Sequence, residues 1–311
     1  MRISDNAIER LQAAAESPDL SGTRYRLVDK LGQGGMGTVY RVEDSILERQ
    51  IALKVISILY DQGELTTRLM QEARVIARLE HPGIVPVHDV GTLADGRVFY
   101  TMKLVQGRRL DDAETALGSQ AECLRTFLKI CESVAFAHSH EIVHRDLKPS
   151  NIMIGPFGEV LVMDWGLAKV LNAIDGSQNK FTSQGAVLGT PGFMAPEQAE
   201  GNARNTGPWT DIYSLGMILK FLVTRGTQPV SRRLGAVIRK ATEVNPPARY
   251  ASVQGLAADL TQYLQGGAVS AYPEGAVARL WRWVVKNRAW ILLILAYLVT
   301  RTLFILWRKF F

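Results

Sequence analysis

The hydrophobic period of this chain changes as it is read from one end to the other, and that change limits the folds open to it. Over residues 25–60 apolar and polar residues alternate, and "YRLVDKLG", "GTVYRVED" and "QIALKVISI" read as strands. A helical pattern covers Glu64 to Leu79, after which "HPGIVPVHDV" and "RVFYTMKLV" return to strand. From Leu110 the spacing is mainly helical, in "AECLRTFLKICESVAFAHSH", "DIYSLGMILKFLV", "GAVIRKATEV" and "LAADLTQYLQ". Strands that precede helices, instead of alternating with them, predict an α+β protein with a strand-rich lobe followed by a helix-rich one. The expected limits are a leader over 1–24, a first lobe over 25–103 and a second over 104–267. Polar "DGSQNKFTSQG" reads as an exposed loop within the second lobe.

The C-terminal end obeys a different rule. Residues 289–307 hold 19 positions with a single charge, Arg301, close to the ~20 apolar residues that a membrane helix needs. Trp290 and Trp307 stand near its ends, where interfacial aromatics belong. Arg279, Arg282, Lys286 and Arg288 flank one side, within a basic linker over 268–288, and Arg308 and Lys309 flank the other. That asymmetry places the main lobes on the cytoplasmic side of an inner or plasma membrane. An interfacial or helix-packing segment is the alternative use of such a stretch. Met1–Ser17 is polar and does not read as a signal peptide.

The tail also accounts for the net charge of +6. Without its seven basic residues the chain carries 29 Lys+Arg against 30 Asp+Glu, so a general nucleic-acid role is not expected. Cys123 and Cys131 lie eight apart in a helical stretch; two such cysteines make no disulfide framework or zinc pattern and read as reduced core residues.

Three groups of residues go beyond folding. "GQGGMG" sets Gly32, Gly34 and Gly37 in G-x-G-x-x-G spacing, followed by a β-branched, alternating run. The glycines therefore cap a hairpin, whose backbone N–H groups can approach phosphates; an ordinary glycine-rich turn has the same spacing. A nicotinamide-type dinucleotide fold would place a helix there instead. Next, Lys54 sits mid-strand in "IALKVISI", and Glu72 shares the apolar face of Leu65, Leu69, Ile76 and Leu79. An unpaired inward charge is expensive, so the two are expected to pair. A structural salt bridge is the simpler use, but buried pairs add little stability, and a lysine beside a glycine loop suits phosphate. Last, "VHRDLKPSNIMI" and "VMDWG" bring Asp146, Lys148, Asn151 and Asp164 to the ends of apolar strands. Carboxylate and amide oxygens suit Mg²⁺, although each residue alone could close an Asx-turn.

Together these stretches resemble the eukaryotic-like protein kinases, in particular bacterial Ser/Thr kinases with a membrane anchor. The resemblance covers about residues 25–267: "GQGGMGTVY", "IALK", "QEAR", "HRDLKPSN", "DWG", "GTPGFMAPE", "DIYSLG" and "PPARYASV" occur in the family's order. It implies the bilobal kinase fold and transfer of the γ-phosphoryl group of Mg-ATP to Ser/Thr hydroxyls of proteins, with autophosphorylation. Mn²⁺ is a second candidate ion. Gly32, Gly34 and Gly37 would cover the phosphates, and Lys54, paired with Glu72, would contact them. Asn151 and Asp164 would hold the metal. Asp146 would take or orient the acceptor proton, and Lys148 would neutralise the moving phosphoryl group. Val39, Ala52, Met102, Leu104 and Met153 would rim the adenine, with hinge backbone at Lys103–Leu104, though each also suits plain core. Arg145 would read a phosphate on Thr182 or Ser183, Thr190 would line the substrate site, and Glu197 would pair with Arg249.

Two departures stand out. Trp165 replaces the family's usual Phe, and only 38 positions separate Asp211 from Arg249, which predicts a reduced or missing substrate-docking helix. With no outer sensor domain expected, lateral partners, a homodimer or the leader would bring the signal. A pseudokinase, a nucleotide-binding scaffold on the same fold, is the competing reading.

Overall fold

The computed structural model describes residues 17–34, 37–56, 70–71, 73–112, 118–165, 192–200, 206–226, 228–273, 275, 283–285 and 287–310. Five antiparallel strands build the first lobe: β1 (Tyr25–Gly34), β2 (Gly37–Asp44), β3 (Arg49–Ile56), β4 (Val87–Thr92) and β5 (Val98–Met102). Their spatial order is β1-β2-β3-β5-β4. Leu53 and Val55 join Tyr25, Tyr40, Val42, Ile51 and Phe99 in a core on one face. Lys54, between Leu53 and Val55, must therefore leave on the other face. Tyr100 and Met102 do the same, and both belong to the larger core shared with the second lobe. Residues 73–76 are helical, and Ala73, Ile76 and Leu79 enter that same core. Glu72, Leu65 and Leu69 lie outside the described residues.

A small sheet of β6 (Arg108–Arg109), β7 (Ile152–Ile154) and β8 (Val160–Val162) floors the second lobe, in the order β6-β7-β8. Around it run α1 (Gln120–Ser139), the short α2 (Pro196–Ala199), α3 (Pro208–Thr224), α4 (Arg232–Ala241) and α5 (Val253–Leu264). Ser119 starts α1 with a capping box: its hydroxyl accepts the Glu122 N–H, and the Glu122 carboxylate accepts the Ser119 N–H. Helical spacing then buries Cys123, Leu124, Phe127, Ile130, Cys131, Val134 and Ala137. Both cysteines are free, and burial pushes the Cys131 thiol far up, so neither is a ready nucleophile. Phe127, Ile130, Ile212, Leu215, Ile218 and Leu219 are inaccessible to solvent. Each such side chain contributes about 1.5–3 kcal/mol on burial, which makes the α1–α3 contact the centre of the lobe. Between α3 and α4 the described residues of 225–231 carry no helix, as the short Asp211–Arg249 interval predicts.

The chain after α5 is latched to this lobe. Buried Asp259 accepts the Ser270 N–H at 2.7 Å, the Ala271 N–H at 3.0 Å, the Ser270 hydroxyl at 2.8 Å and the Tyr250 hydroxyl at 2.8 Å. Burial alone would raise its pKa, but these donors outweigh burial and hold the carboxyl below its usual value. Asp259→Asn keeps one acceptor oxygen for four donors and is expected to cost roughly 1–3 kcal/mol. Hydrogen exchange of the Ser270 and Ala271 amides should rise well before that of α1 does. Beyond this latch α6 (Arg288–Phe310) is helical, and Arg288–Trp307 is long and apolar enough to cross a membrane, about 30 Å over 20 residues.

Candidate active site

The cleft between the sheets collects the polar residues singled out by the sequence. Lys54 reaches across it, and its Nζ lies 2.5 Å from Oδ1 of Asp164. Asp164 follows β8 with a left-handed backbone, φ +56°, which a non-glycine residue adopts only where its surroundings enforce it. The Asn151 carbonyl accepts the Met163 N–H at 2.9 Å, so Asn151 and Asp164 stand on adjoining strand ends. Asn151 donates through Nδ2 to the Asp146 carbonyl at 2.9 Å and to Asp146 Oδ2 at 3.3 Å, which leaves its own Oδ1 as an acceptor for something else. The Lys148 ammonium is 3.0 Å from Asp146 Oδ2. Asp146, Lys148, Asn151, Asp164 and Lys54 thus form one connected constellation. Glu72 lies outside the described residues, as do Thr182, Ser183 and Thr190.

The loop carrying Asp146 is held from below by α3. Buried Asp211 accepts the N–H groups of His144 and Arg145, each at 2.8 Å, and His138 Nε2 lies 2.8 Å from its Oδ2. Arg145 has φ +64°, and its carbonyl accepts the Gln198 side-chain amide at 2.8 Å. Trp165 is buried, lies 4.7 Å from the His144 ring between centroids, and donates its indole N–H to the Val162 carbonyl at 3.1 Å. The larger ring is thus accommodated by a hydrogen bond within its own turn.

The glycines divide into two kinds. Gly37 has φ +154°, and a Cβ there would run into the Val55 carbonyl, so the fold itself needs glycine. A Cβ at Gly32 or Gly34 would meet no atom of the described residues within 4 Å, so packing among those residues does not require glycine there. Ala52 and Met102 face one another across β3 and β5, and Val39 faces Lys54 across β2 and β3. Val39, Met102, Leu104 and Met153 are half-buried. The Lys103 N–H is taken by the Pro86 carbonyl at 3.2 Å.

A profile of the protein kinase domain matches residues 25–251. The chain belongs to the protein kinase domain family. The serine/threonine-protein kinase PknD of Protochlamydia amoebophila is 35% identical over 297 residues, covering 78% of this chain and 30% of that protein. The DNA damage-responsive serine/threonine-protein kinase RqkA of Deinococcus radiodurans is 40% identical over 210 residues, covering 66% of this chain and 30% of that protein. The chain therefore spans about a third of the length of such relatives. The crystal structure of the Mycobacterium tuberculosis PknI kinase domain superposes with a TM-score of 0.59 at 26% identity, over 77% of this chain and 95% of that one.

In this kinase fold, three contributors to the site were not singled out in the sequence. His138 and Gln198 brace the loop that carries Asp146 through Asp211 and Arg145. Tyr100 places its hydroxyl 3.4 Å from Asp164 Oδ1, and burial followed by the Asp164 charge pushes its phenol well above the ordinary value, so it is a donor. The alternation of "VFYTM", which turns Tyr100 inward beside Lys54, was the available signal. Among the described residues no three His, Cys, Asp or Glu side chains gather as a metal cage.

Proposed function

We propose that this chain is a Mg-ATP-dependent protein Ser/Thr kinase that works at a membrane. The observation that carries the reading is the convergence of Lys54, Asp146, Lys148, Asn151 and Asp164, with the β1–β2 glycine hairpin paired to the strand that carries Lys54. Gly32 and Gly34 leave the backbone free to approach the phosphates, and the Lys54 ammonium binds them. Oδ1 of Asn151 and the carboxylate of Asp164 would hold the metal ion, which when bound supplies positive charge to the phosphate oxygens. Asp146 orients the Ser or Thr hydroxyl and takes its proton as that oxygen bonds to the γ-phosphorus. The bond from that phosphorus to ADP breaks, and Lys148 balances the charge on the phosphoryl group in flight. The half-buried Val39, Met102, Leu104 and Met153, with buried Ala52, offer the adenine an apolar rim. Arg288–Trp307 would span the bilayer once, with the lobes on its cytoplasmic side.

The test is transfer of labelled phosphate from ATP by the full chain, alone and with generic Ser/Thr protein acceptors. Wild type should label itself and the acceptors in a Mg²⁺- or Mn²⁺-dependent way. Lys54→Met should lose nearly all of it, because no other cation of the constellation reaches from β3. Nucleotide binding without transfer in the wild type would favour a scaffold, for which the short connection between α3 and α4 is the one structural argument.

A further inference from the structure

Tyr100 has no part in the transfer just described, yet its hydroxyl ends at the carboxylate assigned to the metal. In the β3–β5 register it lies opposite Lys54, so both side chains leave the sheet on the same face. Its ring is 4% exposed and packs in the large core that also holds Ile84, Val162 and Trp165. Phenylalanine or leucine could fill that apolar volume, so packing does not require the hydroxyl. A buried hydroxyl needs an acceptor, and the one it has among the described residues is Oδ1 of Asp164. That oxygen also receives Lys54, whereas Oδ2 has no partner among the described residues.

We propose that Tyr100 is a positioning residue: from behind the cleft its phenol holds Oδ1 of Asp164, so that Oδ2 is the oxygen presented to the divalent cation. This rests on the phosphotransferase reading of the site. When the Lys54 ammonium turns to nucleotide phosphates, Asp164 loses its nearest donor. The phenol stays, because its ring is fixed in the core. At 3.4 Å its bond is long while two donors crowd one oxygen, and it has room to shorten once the ammonium leaves.

The experiment is a Mn²⁺ titration of the full chain in detergent with a non-hydrolysable ATP analogue, free Mn²⁺ being read by electron paramagnetic resonance. Tyr100→Phe should weaken Mn²⁺ binding roughly 10-fold, the low end for loss of a side chain that orients a metal ligand. Affinity for the analogue without metal, and the melting temperature, should match wild type. Tyr100→Leu, which removes ring and hydroxyl together, should show the same factor. The proposal is overturned if Tyr100→Phe binds Mn²⁺ like wild type, or if it loses metal-free analogue affinity by an equal factor. A normal Phe variant beside a weak Leu variant would assign the effect to packing and overturn it too. Wild-type protein that holds no Mn²⁺ with the analogue would instead bring down the phosphotransferase reading itself, a separable result.

Discussion

Asp146→Asn should lower kcat for phosphotransfer by roughly 10²–10⁴-fold, the range for loss of a positioned proton acceptor. The substitution keeps the shape of the side chain. Its amide oxygen can still accept from Asn151 Nδ2, and the backbone carbonyl that takes the shorter of the two Asn151 bonds is untouched. The ion pair with Lys148 is lost, and because the two side chains keep only 23% and 21% of their surface exposed, the uncompensated ammonium should lower the melting temperature somewhat. ATP binding should persist because the phosphates are assigned to Lys54, and the substitution removes a charge at Asp146 without altering the Lys54–Asp164 pair. Single-turnover kinetics, together with nucleotide binding by fluorescence, separate the two effects. A variant that transfers phosphate within tenfold of wild type would remove Asp146 from the proton-transfer role. One that loses nucleotide affinity in parallel would make it a structural residue of the cleft.

Much of the fold could be read from the residues because its signals are local. Alternation in β1 to β3 and the apolar stripe of α1 are set by neighbours within a few positions, and the structure follows them. The site was legible for a related reason. Charged and amide side chains inside apolar strands are anomalies in their own segments, and Lys54, Asp146, Asn151 and Asp164 each announce themselves without a partner in view. What could not be read was which anomaly meets which. Lys54 meets Asp164, 110 positions away and in the other lobe, a pairing that no local pattern announces, while the Glu72 partner that helix-face reasoning gives Lys54 lies outside the described residues. Tyr100 was hidden because an aromatic residue in a strand reads as core, and its ring is core; only its hydroxyl departs from that. The Asp259 latch was hidden because two of its four donors are main-chain N–H groups, which have no residue-type signature.

Removing Arg249 should unfold the second lobe at a markedly lower temperature. Its side chain is shut off from solvent, and the guanidinium uses all five donors. Two go to the carboxylate of Glu197, each at 2.7 Å, and three to the carbonyls of Glu243 at 2.7 Å, Trp209 at 2.9 Å and Val244 at 3.1 Å. The Tyr213 ring covers its face at 5.0 Å. Arg249→Leu leaves Glu197 buried without its cation, a loss of about 3–5 kcal/mol. For a domain of this size that is a fall in Tm of roughly 6–20 °C. Arg249→Lys should recover only a small part, since an ammonium cannot span the two carboxylate oxygens and three carbonyls at once. Glu197 also gives the sign of the acid response. Burial would raise its pKa, but the bonds from Arg249, its own backbone and Thr210 outweigh burial and hold it below 4.5. Its contribution is therefore complete above the unfolded value and disappears as pH falls through the lower folded one. Melting curves from pH 6 to pH 3 should show wild type losing stability more steeply than Glu197→Gln. Because Gln198, the next residue, holds the Arg145 carbonyl, the same loss should loosen the loop that carries Asp146. An Arg249→Leu protein that melts with wild type would mean that this pair sets geometry without stabilising the lobe.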